Sequence, residues 1–382
     1  MNPLVIIGTG LAGYGLAKEL RKLKDSRPIT LITGDDGSFY SKPMLSSALA
    51  QNKDAQGLVM ASAEQMSEQL DAQVLTHTFV DHIEPAKRQV VLTDGQVVSY
   101  AQLVLAVGAN PIQLPFRGTG ASDVMQVNSL ADYAQWRDRL KDVEKVILIG
   151  PGLIGCEFAN DLLKVGKKVA LVGPDPWPIS TLIPEKAGRA LQQVLKKVGA
   201  QWHLETFNGA IEKEGRHYQT TLKNGTVVDG DLVLSAVGLK PNVDMAKAAG
   251  LAVNRGIVTN EYLQTSDPHI YALGDCAEVN GANLPYVQPL MVGGRALAAT
   301  LAHKPTPVIY PIMPVVIKTT LHPIVTMPPG DRAGSWFMSH TPKGVMGRYM
   351  GEGGVLEGFV LTGEHTKLKS TLVKEMQTAI AA

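Results

Sequence analysis

Two glycine clusters in this sequence have the spacing with which a backbone cradles a pyrophosphate: Gly8-Thr9-Gly10-Leu11-Ala12-Gly13 and Gly150-Pro151-Gly152-Leu153-Ile154-Gly155. In such a cluster the first glycine allows a tight turn, the second lets backbone approach the phosphates, and the third lets helix pack on strand. The phosphates then rest on a helix N-terminus, whose unpaired N–H groups carry partial positive charge. One cluster alone is a weak signal. Two, each between an apolar strand and an amphipathic helix, point to two dinucleotide sites. Ribose hydroxyls need an acid roughly 20 residues further on. Asp35, followed by Asp36, fills that place in the first half, as the reader of an adenosine ribose. In the second half the place reads Val172-Gly173-Pro174-Asp175, with no Glu at the strand end and no Arg after it for a 2′-phosphate. That favours NADH over NADPH, which stays as the alternative.

Few other residues offer chemistry. The chain has two cysteines, Cys156 and Cys276, far apart in sequence. This excludes a four-cysteine metal site and a CxxC redox pair, and both read as small buried residues. Nine histidines show neither HExxH nor helical pairing, so no metal site is expected. Lys plus Arg number 36 against 35 Asp plus Glu, a balance that excludes a nucleic-acid binder relying on a basic field. No run reaches the roughly 18 apolar residues of a membrane helix. The start, Met1-Asn2-Pro3-Leu4-Val5-Ile6-Ile7, lacks a basic lead and reads as a first strand rather than a signal peptide, so a cytoplasmic location is expected.

The elements that must position these residues follow from pattern. Leu4–Ile7 and Val146–Ile149 are the strands before the clusters. Leu16, Leu20 and Leu23 form the apolar stripe of the first helix; Ile154, Phe158 and Leu162 form that of the second. Each leads to a further strand, Ile29–Thr33 or Lys168–Val172, which makes two βαβ units and two parallel sheets. Hairpins with Asp94-Gly95 and Asn224-Gly225 turns come next, each followed by a buried run ending in glycine, Leu103–Gly108 and Leu232–Gly238. After Pro305, prolines punctuate short β-rich runs such as Val315-Val316-Ile317, and an amphipathic helix is expected around Lys367–Met376. The predicted class is α/β, with two three-layer Rossmann-like modules and a small α+β C-terminal domain.

One further motif makes a resemblance specific. Thr265-Ser266-Asp267-Pro268 precedes Ile270-Tyr271-Ala272-Leu273-Gly274-Asp275. With the two modules, this resembles the pyridine-nucleotide-dependent flavoprotein reductases over essentially residues 1–310. The resemblance implies tight, non-covalent FAD on the first module and NADH on an inserted second module, after which the chain returns to complete the FAD fold. The implied domains are 1–110 with 240–309 for FAD, 111–239 for NAD(P)H, and 310–382 at the C-terminus. It implies that Asp275 bonds the ribityl chain beside Gly274, and that the helix from Val287-Gln288 onward, with Pro289 in its first turn, points at the flavin pyrimidine edge. Gly8, Gly10, Leu11, Ala12, Gly13, Asp35, Lys42, Pro43, Val107 and Gly108 complete the implied FAD site. Gly150, Gly152, Leu153, Ile154, Gly155, Glu157 and Gly238 are the implied nicotinamide nucleotide site.

The electron acceptor is narrowed by what is missing. No cysteine pair and no single cysteine near Lys42 suit a thiol mechanism. Tyr40-Ser41-Lys42-Pro43-Met44-Leu45-Ser46 and Val315-Val316-Ile317-Lys318-Thr319 look like the rubredoxin and flavorubredoxin reductases. Ferredoxin reductases, the nearest siblings, typically read Pro-Pro-Leu-Ser-Lys at the first of these. The implied reaction is hydride transfer from NADH to the flavin, then single electrons to the Fe(III) of rubredoxin, a small acidic partner. Glu157 falls where the resemblance places a glutamate near the nicotinamide–flavin contact. A buried carboxylate there needs a cation, and Lys42 or Lys318 is expected to pair with it. Lys42, Lys318 and Arg332 are the expected basic rim for rubredoxin, Trp336 reads as core packing, and a monomer is the default. The rivals are a ferredoxin or flavorubredoxin reductase, and a flavoprotein whose NADH-dependent state controls partner binding.

Overall fold

The structure, a computed structural model, describes residues 2–331 and 333–381, so Arg332 lies outside the described residues. The chain forms two compact units. One is Met1–Lys42, Gln56–Asn110 and Leu239–Pro311; the other is Pro43–Ala55, Pro111–Gly238 and Ile312–Ala382.

In the first unit the apolar runs form a five-stranded parallel sheet, ordered Ile270–Ala272, Gln102–Leu105, Leu4–Ile7, Ile29–Ile32, Gln73–Leu75. Leu4–Ile7 and Ile29–Ile32 are buried at every position, as strands covered on both faces must be. The edge strand Ile270–Ala272 comes from the returning part of the chain, so residues 239–311 complete this sheet. Helix Leu11–Lys22 follows the first glycine cluster and packs against helix Val287–Leu301. The expected stripe needs one correction. Leu16 and Leu20 are fully buried, but Leu23 is 47% exposed. The helix stops at Lys22 and Lys24 turns left-handed at φ 59°, which carries Leu23 off the buried face.

The second unit repeats the plan with a four-stranded parallel sheet, ordered Ala200–His203, Lys168–Val172, Lys145–Ile149, Leu232–Ser235. Helix Leu153–Lys164 follows its glycine cluster. Each hairpin gains a third strand: Val80–Glu84 joins the first, and Asn208–Glu214 the second. The runs expected to reach Gly108 and Gly238 leave the sheet sooner, at Leu105 and Ser235. Those glycines take φ of +66° and +114°, outside the extended region.

The tail is a five-stranded antiparallel sheet, ordered Val315–Ile317, Ile324–Met327, Leu356–Thr362, Gly344–Gly351, Gly334–Thr341. Its helix, Lys369–Ala381, begins later than expected because Gly363–Leu368 first winds as a 3₁₀ turn. Leu372 and Met376 of that helix pack on Val325, Phe359 and Leu361. Trp336 is half-buried on the edge strand, against Tyr349 at 5.4 Å between ring centroids.

Candidate functional site

The two glycine turns have one geometry. A β-carbon on Gly8 would come 2.3 Å from Ala106 O, and one on Gly13 1.9 Å from Gly8 O, so close packing demands both glycines. Gly10 is different: a β-carbon there would meet nothing within 4 Å. In the second turn Gly150 and Gly155 are crowded at 2.6 and 1.9 Å, and Gly152 is again open. Both helices begin at the open glycine, with no side chain capping the N-terminus and no acid in the first turn. The N–H groups opening each helix, at Leu11, Ala12 and Gly13 and at Leu153, Ile154 and Gly155, thus lack a side-chain acceptor. A pyrophosphate supplies that acceptor, and open space at the middle glycine is what its approach requires. Both turns fit a bound dinucleotide.

In the first unit Asp35 Oδ1 accepts hydrogen bonds from Thr33 Oγ1 at 2.6 Å and Gly37 N at 3.0 Å. Tyr14 buttresses the same turn, its hydroxyl donating to Gly37 O at 2.7 Å. Burial, and then the charges of Asp35 and Asp36, push this phenol well above its ordinary pKa, so it remains a donor. The Val107–Gly108 turn is held by Asn242, whose Nδ2 donates to Val107 O at 2.7 Å and whose backbone N donates to Gly108 O at 3.0 Å. Cys276 lies against this turn. Burial pushes its thiol up to about 11, although backbone donors at Val107 and Gly108 act the other way. Asp275 is half-buried after Gly274, which takes φ +83°. Burial raises the Asp275 pKa, with the charge of Lys42 opposing. Helix Val287–Leu301 starts without a side-chain cap, with Val287 and Gln288 exposed. Pro289 sits in its first turn, where a missing N–H costs nothing.

The second unit holds a buried polar cluster. Glu157, Asn160 and Asp161 are each 2% exposed. Their i, i+3, i+4 spacing puts them on one face of helix Leu153–Lys164, and that face grips two distant segments. Glu157 Oε2 accepts from Lys318 Nζ at 2.6 Å and from Ser46 Oγ at 2.6 Å; its Oε1 accepts from the Lys318 backbone N at 2.9 Å. Asp161 accepts from the backbone N of Leu49 at 2.8 Å and of Ala50 at 3.0 Å. Asn160 Oδ1 accepts from Leu321 N at 2.9 Å. Burial raises the Asp161 pKa, while those two backbone donors pull it down. Of the two expected cations, Lys318 is the one in an ion pair with Glu157 within this unit. Lys42 and its neighbour Pro43 open a 3₁₀ turn, Lys42–Ser46, which brings Ser46 to the Glu157 carboxylate.

Cys156 lies inside this helix, fully buried, with its Sγ on Pro151 O at 3.3 Å and its thiol pushed far above the ordinary range by burial. Neither cysteine is a thiolate at neutral pH. The carbonyl of Gly238, the glycine at the end of the corresponding run in this unit, accepts from Ile112 N at 3.0 Å. Among the described residues no group of His, Cys, Asp and Glu could hold a metal, and no helix is long and apolar enough to cross a membrane. Ser46, Asn160 and Asp161 are structural neighbours of Glu157 in this cluster that motif reading passes over. The available signal was a polar stripe on a helix flanked by apolar strands, which reads equally well as a solvent face.

Comparison with known proteins extends this picture. Residues 2–299 match the pyridine nucleotide-disulphide oxidoreductase family, and residues 307–376 match the rubredoxin binding C-terminal domain. The chain is 44% identical over 378 residues to a rubredoxin-NAD(+) reductase of Alcanivorax borkumensis, covering 98% of this chain and 99% of that protein. It is 43% identical over 391 residues to a rubredoxin-NAD(+) reductase of Acinetobacter baylyi, covering 100% of both. Among solved structures it is similar to a ferredoxin reductase from Rhodopseudomonas palustris, with a TM-score of 0.87, 26% identity and coverage of 94% and 91%. The family match runs across both glycine turns and the returning strand, residues 2–299: the chain belongs to the pyridine nucleotide-disulphide oxidoreductase family.

Proposed function

We propose that this chain is an FAD-dependent reductase that takes electrons from NADH and delivers them to rubredoxin. The observation that carries this reading is the tail. The segment similar to a rubredoxin-binding domain lies in the same compact unit as the second glycine turn, and it contributes Lys318 to the buried carboxylate on that turn's helix. FAD, when bound, accepts electrons as a hydride and releases them singly.

The chain's own residues do the rest. Gly8 to Gly13 and Asp35 bind one dinucleotide in the first unit, with Val107–Gly108, Asp275 and the N-terminus of helix Val287–Leu301 as further groups directed at the flavin. Gly150 to Gly155 bind the nicotinamide nucleotide. Glu157 orients Lys318, whose ammonium is thereby held as a fixed positive charge beside the second glycine turn's helix. Within the first unit, Lys42 lends its positive charge toward Asp275. Both thiols are buried and protonated, so the chain offers no cysteine intermediate between the flavin and an external acceptor.

An anaerobic acceptor panel tests the reading. Turnover of NADH with rubredoxin at least about tenfold faster than with ferredoxin or a quinone is expected; equal or inverted rates would reject rubredoxin as the acceptor.

A further inference from the structure

Lys318 stands at the tip of a hairpin in the tail, between strands Val315–Ile317 and Ile324–Met327. The first of these strands is three residues long and lies at the edge of its sheet, so one short ladder carries the tip on that side. The tip closes on itself. His322 N donates to Thr319 O at 2.8 Å, and Thr319 Oγ1 donates to His322 O at 2.8 Å, with Thr319 fully buried. Residues 319–322 thus form one turn, and Lys318 leads directly into it.

Two residues of helix Leu153–Lys164 dock this turn. Glu157 holds its start, through Lys318 N at 2.9 Å and Lys318 Nζ at 2.6 Å. Asn160 holds its far side: Oδ1 accepts from Leu321 N at 2.9 Å, and Nδ2 donates to Thr320 Oγ1 at 3.3 Å. Three residues of helix set the two docking points about 4.5 Å apart along its axis. A turn bonded only at its start can swing about that point. A second attachment removes the swing and fixes the direction in which the Lys318 side chain sets out.

We infer that Asn160 is a positioning residue, which holds the tail turn so that the Lys318 ammonium stays on the Glu157 carboxylate. This deepens the proposed function, resting on the part that it gives to Glu157 and Lys318.

The pair needs such help. The Lys318 side chain is 30% exposed, so water competes for its ammonium, and attraction alone holds such a pair weakly. A lysine also carries its charge on a flexible four-carbon stem, which a fixed backbone restrains. An amide suits position 160 better than an acid, because it accepts from one residue and donates to the next without adding charge. Glu157 and Asp161 already share this buried face. Burial first, and the charge of Glu157 with it, raise the Asp161 pKa. A third carboxylate would add to that repulsion and compete for Lys318. The helix that carries Asn160 also opens on the second glycine turn, so one rigid element refers the tail turn to the nucleotide site.

Anaerobic stopped-flow reduction of the FAD-loaded protein by NADH tests this, with Asn160→Ala, Lys318→Ala and the double variant. Asn160→Ala should lower the limiting rate about tenfold, while the NADH concentration for half-maximal rate changes less than about twofold. Lys318→Ala should be slowed at least as much. The double variant should match Lys318→Ala within about twofold, because a residue that acts only through Lys318 then has nothing left to position. Thr320→Val, at an exposed residue, removes the Nδ2 contact and should slow reduction about threefold. It serves as the test if Asn160→Ala does not fold. An unchanged limiting rate in the folded variant, or losses that multiply in the double variant, would overturn the inference. Absence of flavin reduction by NADH in the unaltered protein, or full-rate reduction in Lys318→Ala, would instead count against the proposed function. Tryptic cleavage after Lys318 then still judges Asn160: cleavage about fivefold faster in Asn160→Ala supports the inference, and an unchanged rate overturns it.

Discussion

At the scale of single residues, the informative group is Glu157, a carboxylate almost wholly removed from water and met by Lys318 and Ser46. A buried ion pair is weak support for stability, because desolvation offsets most of its attraction. In the proposed function its part is to position Lys318. Glu157→Gln keeps the shape but removes the charge that orients the Lys318 ammonium. Flavin reduction by NADH, followed by stopped-flow absorbance, should slow on the order of 10- to 100-fold, with FAD content unchanged. Unaltered reduction kinetics would return Glu157 to a purely structural role. The residue types proposed for binding were legible: the glycines, Asp35, Glu157, Lys318 and Asp275 are each marked by motif or by resemblance. Ser46 was not, since a lone serine in a 3₁₀ turn has no pattern to distinguish it.

At the scale of elements, strand–turn–helix units were readable because glycine spacing and apolar period agree. The exits were harder. Leu23 lay outside its helix because termination rested on a left-handed lysine, Lys24, a residue type that gives no warning of that conformation. The polar face of helix Leu153–Lys164 was illegible for a different reason. Burial of Asn160 and Asp161 depends on segments remote in sequence, the loop at 49–50 and the tail at 320–321. Asp161→Ala removes two charge-assisted bonds to that loop and should cost about 2–3 kcal/mol. Its signature is a lowered unfolding midpoint together with faster tryptic cleavage at Lys53; an unchanged midpoint would show that the loop is held by its other contacts. In the tail, His322 sits between Val315–Ile317 and Ile324–Met327, and burial, with a smaller push from His340, lowers its pKa below the ordinary 6.5. As pH falls through that ordinary value the unfolded chain takes up a proton that the folded one resists, so stability declines on acidification. His322→Gln should flatten the fall in thermal midpoint between pH 7 and pH 5; an equally steep fall would assign the acid sensitivity to other groups.

At the scale of the whole molecule, the chain interleaves two units rather than running through them in series. The insertion of one module into the other was implied by the family resemblance that the Gly274-Asp275 motif carries, and strand Ile270–Ala272 of the returning chain does lie in the first sheet. The grouping of Pro43–Ala55 with the second unit had no sequence signal, since it follows from bonds to Glu157 and Asp161. With charges almost balanced overall, recognition of an acidic partner must depend on local cations, and such steering weakens as salt screens it. The central claim is that one chain couples NADH to rubredoxin through a flavin and without thiols. Its most direct test is a sequential anaerobic mix: the purified protein is reduced by NADH, excess nucleotide is removed, and oxidised rubredoxin is added while its visible absorbance is followed. The account predicts rapid bleaching of rubredoxin, two equivalents per flavin, unaffected by alkylating reagents under native conditions. Slow or absent bleaching, or loss of transfer on alkylation, would contradict it.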